Sequence, residues 1–272
     1  MNIVAKLLRS VRPAKIAYEP KLIPPINLMR KEGIDVLEEW FRWAEEWNML
    51  LRIYGRIKMA SSVLEIGCGL GRIAFPLRYI LIQGSYDGFD ISEEKIRFLN
   101  SRFHATHPNF KFQHADVRNS FYNPHGSVNG ESYIFPYSND QFDLVFAASV
   151  FTHMLPEVAA QYLREARRVL KAGGLCLISF FLLDNYRRGS PRPLGFARSD
   201  FDFDHQYASF RDDFAIANPD NPEKMTAYRA RLVERLAAEA GLRMSVPPLP
   251  GLWSGSHENW VGAQDLVILQ KV

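Results

Sequence analysis

The segment Val63-Leu64-Glu65-Ile66-Gly67-Cys68-Gly69-Leu70-Gly71-Arg72 runs from an apolar strand into a loop with glycine at alternate positions. Glycine adopts positive φ without strain and lets a ligand approach the backbone closely. A helix that begins after the loop would offer free N–H groups and the positive end of its dipole. The segment therefore predicts a site for the carboxylate of an amino-acid moiety or for a phosphate.

The spacing of the glycines favours one of these two ligand classes. In the dinucleotide fingerprint G-x-G-x-x-G, the third glycine would stand where this chain has Arg72. Glu65 precedes the loop, and its carboxylate would repel a pyrophosphate but could pair with an ammonium group. Both departures favour an amino-acid-bearing nucleoside over NAD as the ligand.

Two further carboxylates follow the next two apolar runs. Asp90 could accept hydrogen bonds from both ribose hydroxyls of a nucleoside. Ser92 is the more natural cap for the helix that follows, which would leave Asp90 free for the ligand. Asp116 could accept a hydrogen bond from the exocyclic amine of adenine, with Val117 against the ring, or it could be a turn aspartate at a strand end.

Short apolar runs alternate with amphipathic segments from residue 62 to the end. The runs that we predict as strands are 62–66, 85–89, 110–114, 142–147, 175–181, 243–246 and 265–270. The predicted helices lie near 73–82, 93–104, 156–170 and 222–240. This alternation is typical of an α/β fold with a mostly parallel seven-stranded sheet flanked by helices. Only a loop joins the last two runs, which predicts that the final strand is antiparallel.

The chain divides into a cap of residues 1–60 and one domain of residues 61–272. A helical pattern over 34–59 carries three tryptophans, which could form a stacking platform for a ligand but are better explained as a cap helix docked on the sheet. Two long segments, about 119–140 and 184–221, break the strand–helix rhythm. Because loops of this length are commonly functional, we expect them to be lids over the site.

Composition limits the classes of function. The 272 residues carry a net charge of +3, with 47% hydrophobic and 23% charged residues, which lacks the strong basic character of a dedicated nucleic-acid binder. Two cysteines, Cys68 and Cys176, have neither metal-ligand spacing nor a disulfide framework, so we expect a cytoplasmic protein. Residues 1–12 alternate apolar and basic side chains, which fits a helix on the domain or on a membrane surface but not a signal peptide or a membrane span.

The ordered motifs resemble those of class I S-adenosylmethionine-dependent methyltransferases. Residues 65–71 look like the first motif of that family, Asp90 like its ribose-binding acid, Asp116 like its adenine contact and residues 142–147 like its fourth motif. Residues 163–174 look like the helix and turn before its fifth strand, although Ala172 stands where proline is commoner. The resemblance covers about residues 60–183 and implies a Rossmann-like fold that binds S-adenosylmethionine and releases S-adenosylhomocysteine.

The resemblance also implies the site residues. The expected cofactor-binding residues are Glu65, Gly67, Cys68, Gly69, Gly71, Arg72, Asp90, Ile91, Asp116, Val117, Ala147 and Ser149. His153 follows the fourth predicted strand and is our candidate base for a hydroxyl acceptor, the alternative being a structural histidine. No metal is expected, because Asp200, Asp202, Asp204 and His205 alternate with phenylalanine as a strand or lid would.

The acceptor is the open question. The segments 122–126, 135–137, 149–154 and 251–255 resemble a bacterial subgroup of undefined substrate, so we expect a small molecule or a glycan. Candidate acceptor residues in the lids and final hairpin are Tyr122, His125, His205, Tyr207, Arg211, Trp253 and His257. N-methylation of a protein or nucleic acid is disfavoured, since residues 147–151 read Ala-Ala-Ser-Val-Phe rather than an Asn/Asp-Pro-Pro-Tyr motif. A non-catalytic S-adenosylmethionine-binding protein and an NAD-dependent dehydrogenase are the remaining alternatives.

Overall fold

The fold comes from a computed structural model that describes residues 19–189, 191–193 and 201–272, and in which the side chains of residues 208, 209 and 211 are not described. The predicted N-terminal amphipathic segment, Asp200 and the side chain of Arg211 therefore lie outside the described part. The strands are β1 (Ser62–Ile66), β2 (Ser85–Asp90), β3 (Phe110–His114), β4 (Phe142–Ala147), β5 (Leu170–Phe180), β6 (His205–Gln206), β7 (Phe214–Ile216), β8 (Thr226–Tyr228), β9 (Leu242–Met244) and β10 (Asp265–Lys271).

A seven-stranded sheet with the order β3-β2-β1-β4-β5-β10-β9 forms the centre of the molecule. Strands β1 to β5 pair in parallel, and β10 is antiparallel to both of its neighbours, β5 and β9. The predicted mostly parallel sheet with an antiparallel final strand is thus confirmed. The chain moves outward from β1 in both directions, so the carboxyl ends of β1 and β4 form the switch point where open α/β sheets bind ligands.

The α-helices cover the sheet with their apolar faces. They are α1 (Ile26–Met29), α2 (Leu37–Ile53), α3 (Ala74–Leu77), α4 (Glu93–Phe103), α5 (Pro156–Val169) and α6 (Ala230–Glu239). Helix α4 has acidic residues in its first turn, and α5 begins with proline, both of which favour a helix start at these points. Their buried side chains recur at helical spacing and pack on the two faces of the sheet.

Three predicted elements have clearly different bounds in the structure. The helix predicted over 222–240 begins only at Ala230, because residues 226–228 pair as β8 in a small antiparallel sheet of order β6-β7-β8. The helix predicted over 73–82 shortens to α3, which contains Pro76, and continues as turns. The fifth strand begins at Leu170 rather than at residue 175. Its strands β6 and β7 lie within the predicted second lid, and β8 follows that lid in the chain.

Helix α2 docks the N-terminal segment onto the sheet. Trp47 stacks on Phe146 of β4 with ring centroids 5.6 Å apart, and Trp40 meets Phe75 edge-on at 5.2 Å. Both tryptophans are buried, so they belong to the core rather than to a ligand-stacking platform. Among the described residues, no helix combines the length and apolar character that a bilayer span requires.

Candidate cofactor site

The glycine loop after β1 follows a left-handed path that glycine alone adopts readily. Gly67, Gly69 and Gly71 have φ of 71°, 50° and 75°. The N–H groups of Gly67 and Cys68 both donate to the carbonyl oxygen of Phe89, at 2.8 and 3.0 Å. The loop is therefore fixed to the end of β2, one residue before Asp90.

Space as well as dihedral angle requires glycine in this loop. A Cβ on Gly67 would stand 2.5 Å from Cγ2 of Val150, which follows β4. A Cβ on Gly71 would stand 2.5 Å from Cδ2 of Leu99 in α4. The close approach brings the loop, the end of β4 and α4 together around one site.

Asp90 lies at the carboxyl end of β2 and is almost fully buried. Its Oδ2 accepts a hydrogen bond from Gly69 N–H at 2.8 Å, and its Oδ1 accepts one from Ser92 N–H at 2.9 Å. Ser92 stands at the N-cap position as expected, but its side chain makes no capping bond, and Asp90 is not free of protein contacts. A carboxylate has about four acceptor positions, so two remain for ribose hydroxyls.

Glu65 is a buried carboxyl group at the end of β1. The phenol of Tyr86 donates a hydrogen bond to its Oε2. Burial raises the pKa of Glu65 to about 8, against the opposing effects of the Tyr86 hydrogen bond and the positive charge of Arg72. A group with this pKa is mainly neutral at pH 7 and ionises when a cation is placed beside it.

Arg72 provides a cation next to this carboxyl group. It is half-buried, and within the described part of the chain it makes no hydrogen bond or ion pair. Its positive charge acts to lower the pKa of Glu65 and of Glu46 in α2, against the larger effect of burial. Oε2 of Glu46 accepts a hydrogen bond from Ala263 N–H at 3.1 Å. The guanidinium could pair with the carboxylate of an α-amino acid, and Glu65 could pair with its ammonium group.

Ser149 and Ala147 line the same end of the sheet. Ala147 is buried at the end of β4, directly beside Ile66 of β1. Ser149 has a φ of 58°, its N–H donates to Ser179 Oγ at 2.8 Å, and its hydroxyl donates to Gln264 Oε1 at 3.0 Å. These bonds fix the backbone as it leaves β4 and turns over the glycine loop.

The ends of β2 and β3 form the opposite side of the site. Val117 is buried and Ile91 is half-buried, which provides an apolar surface for a base. Asp116 accepts hydrogen bonds from the Ser127 hydroxyl at 2.7 Å, from the Ser127 N–H at 3.1 Å and from Asn123 Nδ2 at 3.1 Å. Asp116 thus anchors the loop that follows it, and its contact with adenine stays a prediction.

His153 closes the short turn after β4 and makes contacts on both ring nitrogens. Nδ1 lies 2.8 Å from the carbonyl oxygen of Lys224, and Nε2 lies 3.3 Å from the hydroxyl of Tyr122. Since a carbonyl can only accept, Nδ1 carries the proton and Nε2 is the acceptor. Burial lowers the pKa of His153 to about 4, against the opposing effect of the backbone groups around Lys224, so the ring is neutral at pH 7.

Two candidate residues of the final hairpin, and two of the aspartates weighed as metal ligands, make contacts within the protein. Trp253 is fully buried and donates from Nε1 to Asp265 at 2.7 Å, and His257 contacts Asn185 at 2.9 Å. Asp202 pairs with Arg192, and Asp204 pairs with Arg188 at 3.1 Å. Within the described ranges, no group of three or more potential ligand residues is placed to hold a metal ion.

Comparison with known proteins agrees with this geometry. The sequence model of a family described as "Methyltransferase domain" matches residues 63–174, which hold the glycine loop, Asp90 and the strands that position them. Residues 63–174 form a class I methyltransferase domain. S-adenosylmethionine is therefore the cofactor of this domain, and the carboxyl groups, Arg72 and the apolar wall described above suit its amino acid, its ribose and its adenine.

One curated relative is the phthiotriol/phenolphthiotriol dimycocerosates methyltransferase 1 of Mycobacterium ulcerans (strain Agy99), which is 28% identical over 162 residues. The match covers 59% of this chain and spans only about half (50%) of the relative's length. A solved SAM-dependent methyltransferase from Aquifex aeolicus has a TM-score of 0.54 at 16% identity, covering 92% of this chain and all (100%) of that one. Another, from Methanosarcina mazei, has a TM-score of 0.51 at 20% identity, covering 82% of this chain and 97% of that one. These two structures support the fold.

Three residues close to the candidate cofactor site belong to no motif that the sequence shows. Lys95, Lys224 and Gln264 reach it from a helix and two loops far apart in the chain. Only Lys95 stands near a recognisable motif, in the first turn of the helix after Asp90. The others depend on tertiary packing and could not have been found from local pattern.

Proposed function

We propose that the chain transfers the methyl group of S-adenosylmethionine to a hydroxyl of a small molecule or glycan. The observation that carries the proposal is the contact between the Tyr122 hydroxyl and the His153 ring at 3.3 Å. Tyr122 is 51% exposed as a residue, although burial of its hydroxyl raises the pKa of the phenol. The charges of Lys95, Glu32 and Asp90 all act on its phenol, which supports a position close to the donor site.

S-adenosylmethionine, when bound, supplies an activated methyl group on a sulfonium. The protein then has to align the acceptor oxygen with that carbon, exclude water and take up the hydroxyl proton. In our proposal, the acceptor hydroxyl donates to the Tyr122 oxygen while Tyr122 donates to Nε2 of His153. The acceptor proton passes to Tyr122 as the Tyr122 proton passes to His153.

The Lys224 carbonyl keeps His153 in the tautomer that this transfer needs. If Nε2 carried the proton, the ring could not accept from Tyr122. The carbonyl belongs to the segment that leads into β8, so the lid sheet orients the base. Because the pKa of His153 is about 4, we expect the acid side of the activity profile near that pH rather than near 6.5.

The relative from Mycobacterium ulcerans supports a small-molecule acceptor. Its name gives phthiotriol and phenolphthiotriol dimycocerosates as the molecules that it methylates. The alignment is partial, and the identity is 28%. We therefore extend to this chain the class of acceptor, a hydroxylated small molecule, and not the compound.

The test measures S-adenosylhomocysteine formation with a panel of hydroxylated and amine acceptors. We expect turnover with a hydroxylated compound, and a loss of about 10²–10⁴-fold in kcat in His153→Gln, the usual contribution of a general base. Tyr122→Phe should lose activity to a comparable degree with little change in cofactor affinity. Turnover that is confined to amines would contradict the proposal.

Tyr133→Phe is the matched control. Tyr133 lies on the same long segment and is half-buried, but it does not contact His153 in the part of the chain that the structure describes. We expect its kcat to match that of the wild type. Cofactor binding without turnover on any acceptor would instead favour a non-catalytic S-adenosylmethionine-binding protein.

A further inference from the structure

Glu32 lies against the glycine loop, although it comes from the N-terminal segment. A Cβ placed on Gly69, the middle glycine, would stand only 2.6 Å from Glu32 Oε1. The same Gly69 donates its N–H to Asp90 at 2.8 Å. Glu32 and Asp90 therefore present carboxylate oxygens on two sides of one glycine.

Lys95 holds the Glu32 carboxylate in this position. Its Nζ lies 2.9 Å from Glu32 Oε1, and the two side chains are only 20% and 17% exposed. Burial would lower the pKa of Lys95, but the charges of Glu32 and Asp90 outweigh it and raise that pKa. The lysine is thus charged and lies between two carboxylates that it partly neutralises.

A second ion pair joins the same two segments outside the site. Lys31 contacts Glu94 at 2.7 Å, with both side chains about half exposed. Exposed pairs of this kind contribute little to stability. The pair therefore offers a control, since it joins the N-terminal segment to α4 without reaching Gly69.

Carboxyl groups and cations from separate segments gather around the glycine loop. Glu32, Glu65 and Asp90 are close enough for each to act on the ionisation of another. Lys95 and Arg72 are the cations that act on this group within the described residues. The ion pair with Lys95 uses Oε1 of Glu32, and a carboxylate has further acceptor positions that can take hydrogen bonds from hydroxyl groups of a ligand.

We propose that Glu32 is a cofactor-binding residue, which with Asp90 brackets the ribose hydroxyls of S-adenosylmethionine while Lys95 holds it in place. The inference rests on the proposed function, because it needs the cofactor to bind over the glycine loop. It assigns to the segment before α2 a direct part in the donor site.

The test is calorimetric titration of wild type and Glu32→Gln with S-adenosylhomocysteine, S-adenosylmethionine and 5′-methylthioadenosine. The last probe keeps the ribose but lacks the amino acid and the sulfonium charge. We expect Glu32→Gln to weaken all three by about 10-fold or more, in line with loss of a hydrogen bond to a charged group. An effect on the two amino-acid ligands that spares methylthioadenosine would overturn the assignment to ribose.

Lys95→Met distinguishes a Glu32 side chain that contacts the ligand from one that only anchors the N-terminal segment to α4. It breaks the same ion pair but leaves the Glu32 carboxylate present. If Glu32 binds the cofactor, Glu32→Gln should lose more affinity than Lys95→Met; equal losses would mean that Glu32 only anchors the segment. Glu94→Gln, which removes the outer pair, should bind as the wild type does.

The two proposals fail in different ways. A wild-type protein that binds none of the three ligands would contradict the proposed function. A wild type that binds them while Glu32→Gln binds equally well or more tightly would overturn only the role of Glu32. The melting temperatures of the ligand-free variants show whether each is folded.

Discussion

At the scale of single residues, Glu65 connects protonation to cofactor binding. Burial raises its pKa to about 8, so at pH 7 the folded protein holds this carboxyl group mainly protonated. A cofactor ammonium group beside it would favour the ionised form. We therefore expect binding of S-adenosylhomocysteine at pH 7 to release a proton, and Glu65→Gln to abolish that release. Calorimetric titration in two buffers of different ionisation enthalpy measures the number of protons directly.

The ligand-free protein gives a second measure of the same group. The unfolded chain loses the Glu65 proton near its ordinary pKa of 4.5, whereas the folded chain keeps it until about pH 8. The folded state binds more protons across that window, so this group lowers the free energy of unfolding as pH rises through it. Glu65→Gln should remove that part of the slope in denaturant titrations; an unchanged slope would contradict the assigned pKa.

At the same scale, the sequence predicts where the carboxylates lie but not what holds them. Glu65, Asp90 and Asp116 stand at the strand ends where the pattern places them. The bonds from Gly69 and Ser92 to Asp90 depend on how the loop turns back onto β2, which the local pattern does not contain. Glu32 could not have been predicted, because its partner Lys95 is far away in the sequence.

At the scale of elements, Gly71 shows how closely the loop is packed. Gly71→Ala would combine the strain of positive φ with contact between the new Cβ and Leu99. Left-handed φ costs about 1–2 kcal/mol and overpacking about 1–3 kcal/mol more, so we expect a loss of about 2–5 kcal/mol in the free energy of unfolding. Urea denaturation checks the value.

Gly173 is the matched control for this substitution. It has the same φ of 75°, and a Cβ there would meet nothing within 4 Å. Gly173→Ala should therefore cost only the backbone term, about 1–2 kcal/mol. Equal losses in the two variants would show that crowding against Leu99 contributes nothing.

The length and burial of a strand determine how well the sequence predicts it. Strands β1 and β4 lie inside the sheet and are mainly apolar and buried, and the predicted ranges of β1, β3 and β4 match the observed strands residue for residue. Strand β8 reads as part of a helix because its pairing with β7 is a long-range interaction. Strands of two or three residues are too short for their periodicity to be distinct.

At the scale of the whole molecule, the cap and the sheet share one core. Trp47 of α2 stacks on Phe146, and Glu46 bonds to the loop before β10. We expect the two parts to unfold together. Three of the five tryptophans lie on α2, so fluorescence reports mainly on the cap while far-ultraviolet circular dichroism reports on the whole chain.

The two signals should give the same midpoint in denaturant, and S-adenosylhomocysteine should shift both equally. At 100 times its dissociation constant, the ligand adds about 2.7 kcal/mol, which raises the melting temperature by about 5–10 °C. NAD should cause no shift. A fluorescence transition at lower denaturant than the circular dichroism transition would show that residues 1–60 form a separate unit.

The order of strands in the sheet also constrains how the protein is made. Strand β10 lies between β5 and β9 but follows both in the chain. On the ribosome, β5 therefore emerges long before the strand that covers its open edge. The nascent chain holds an unpaired, apolar strand edge throughout that interval, the arrangement most prone to pair with other chains. Slow synthesis of the last third of the chain would lengthen this exposure, while the first five strands are free to assemble.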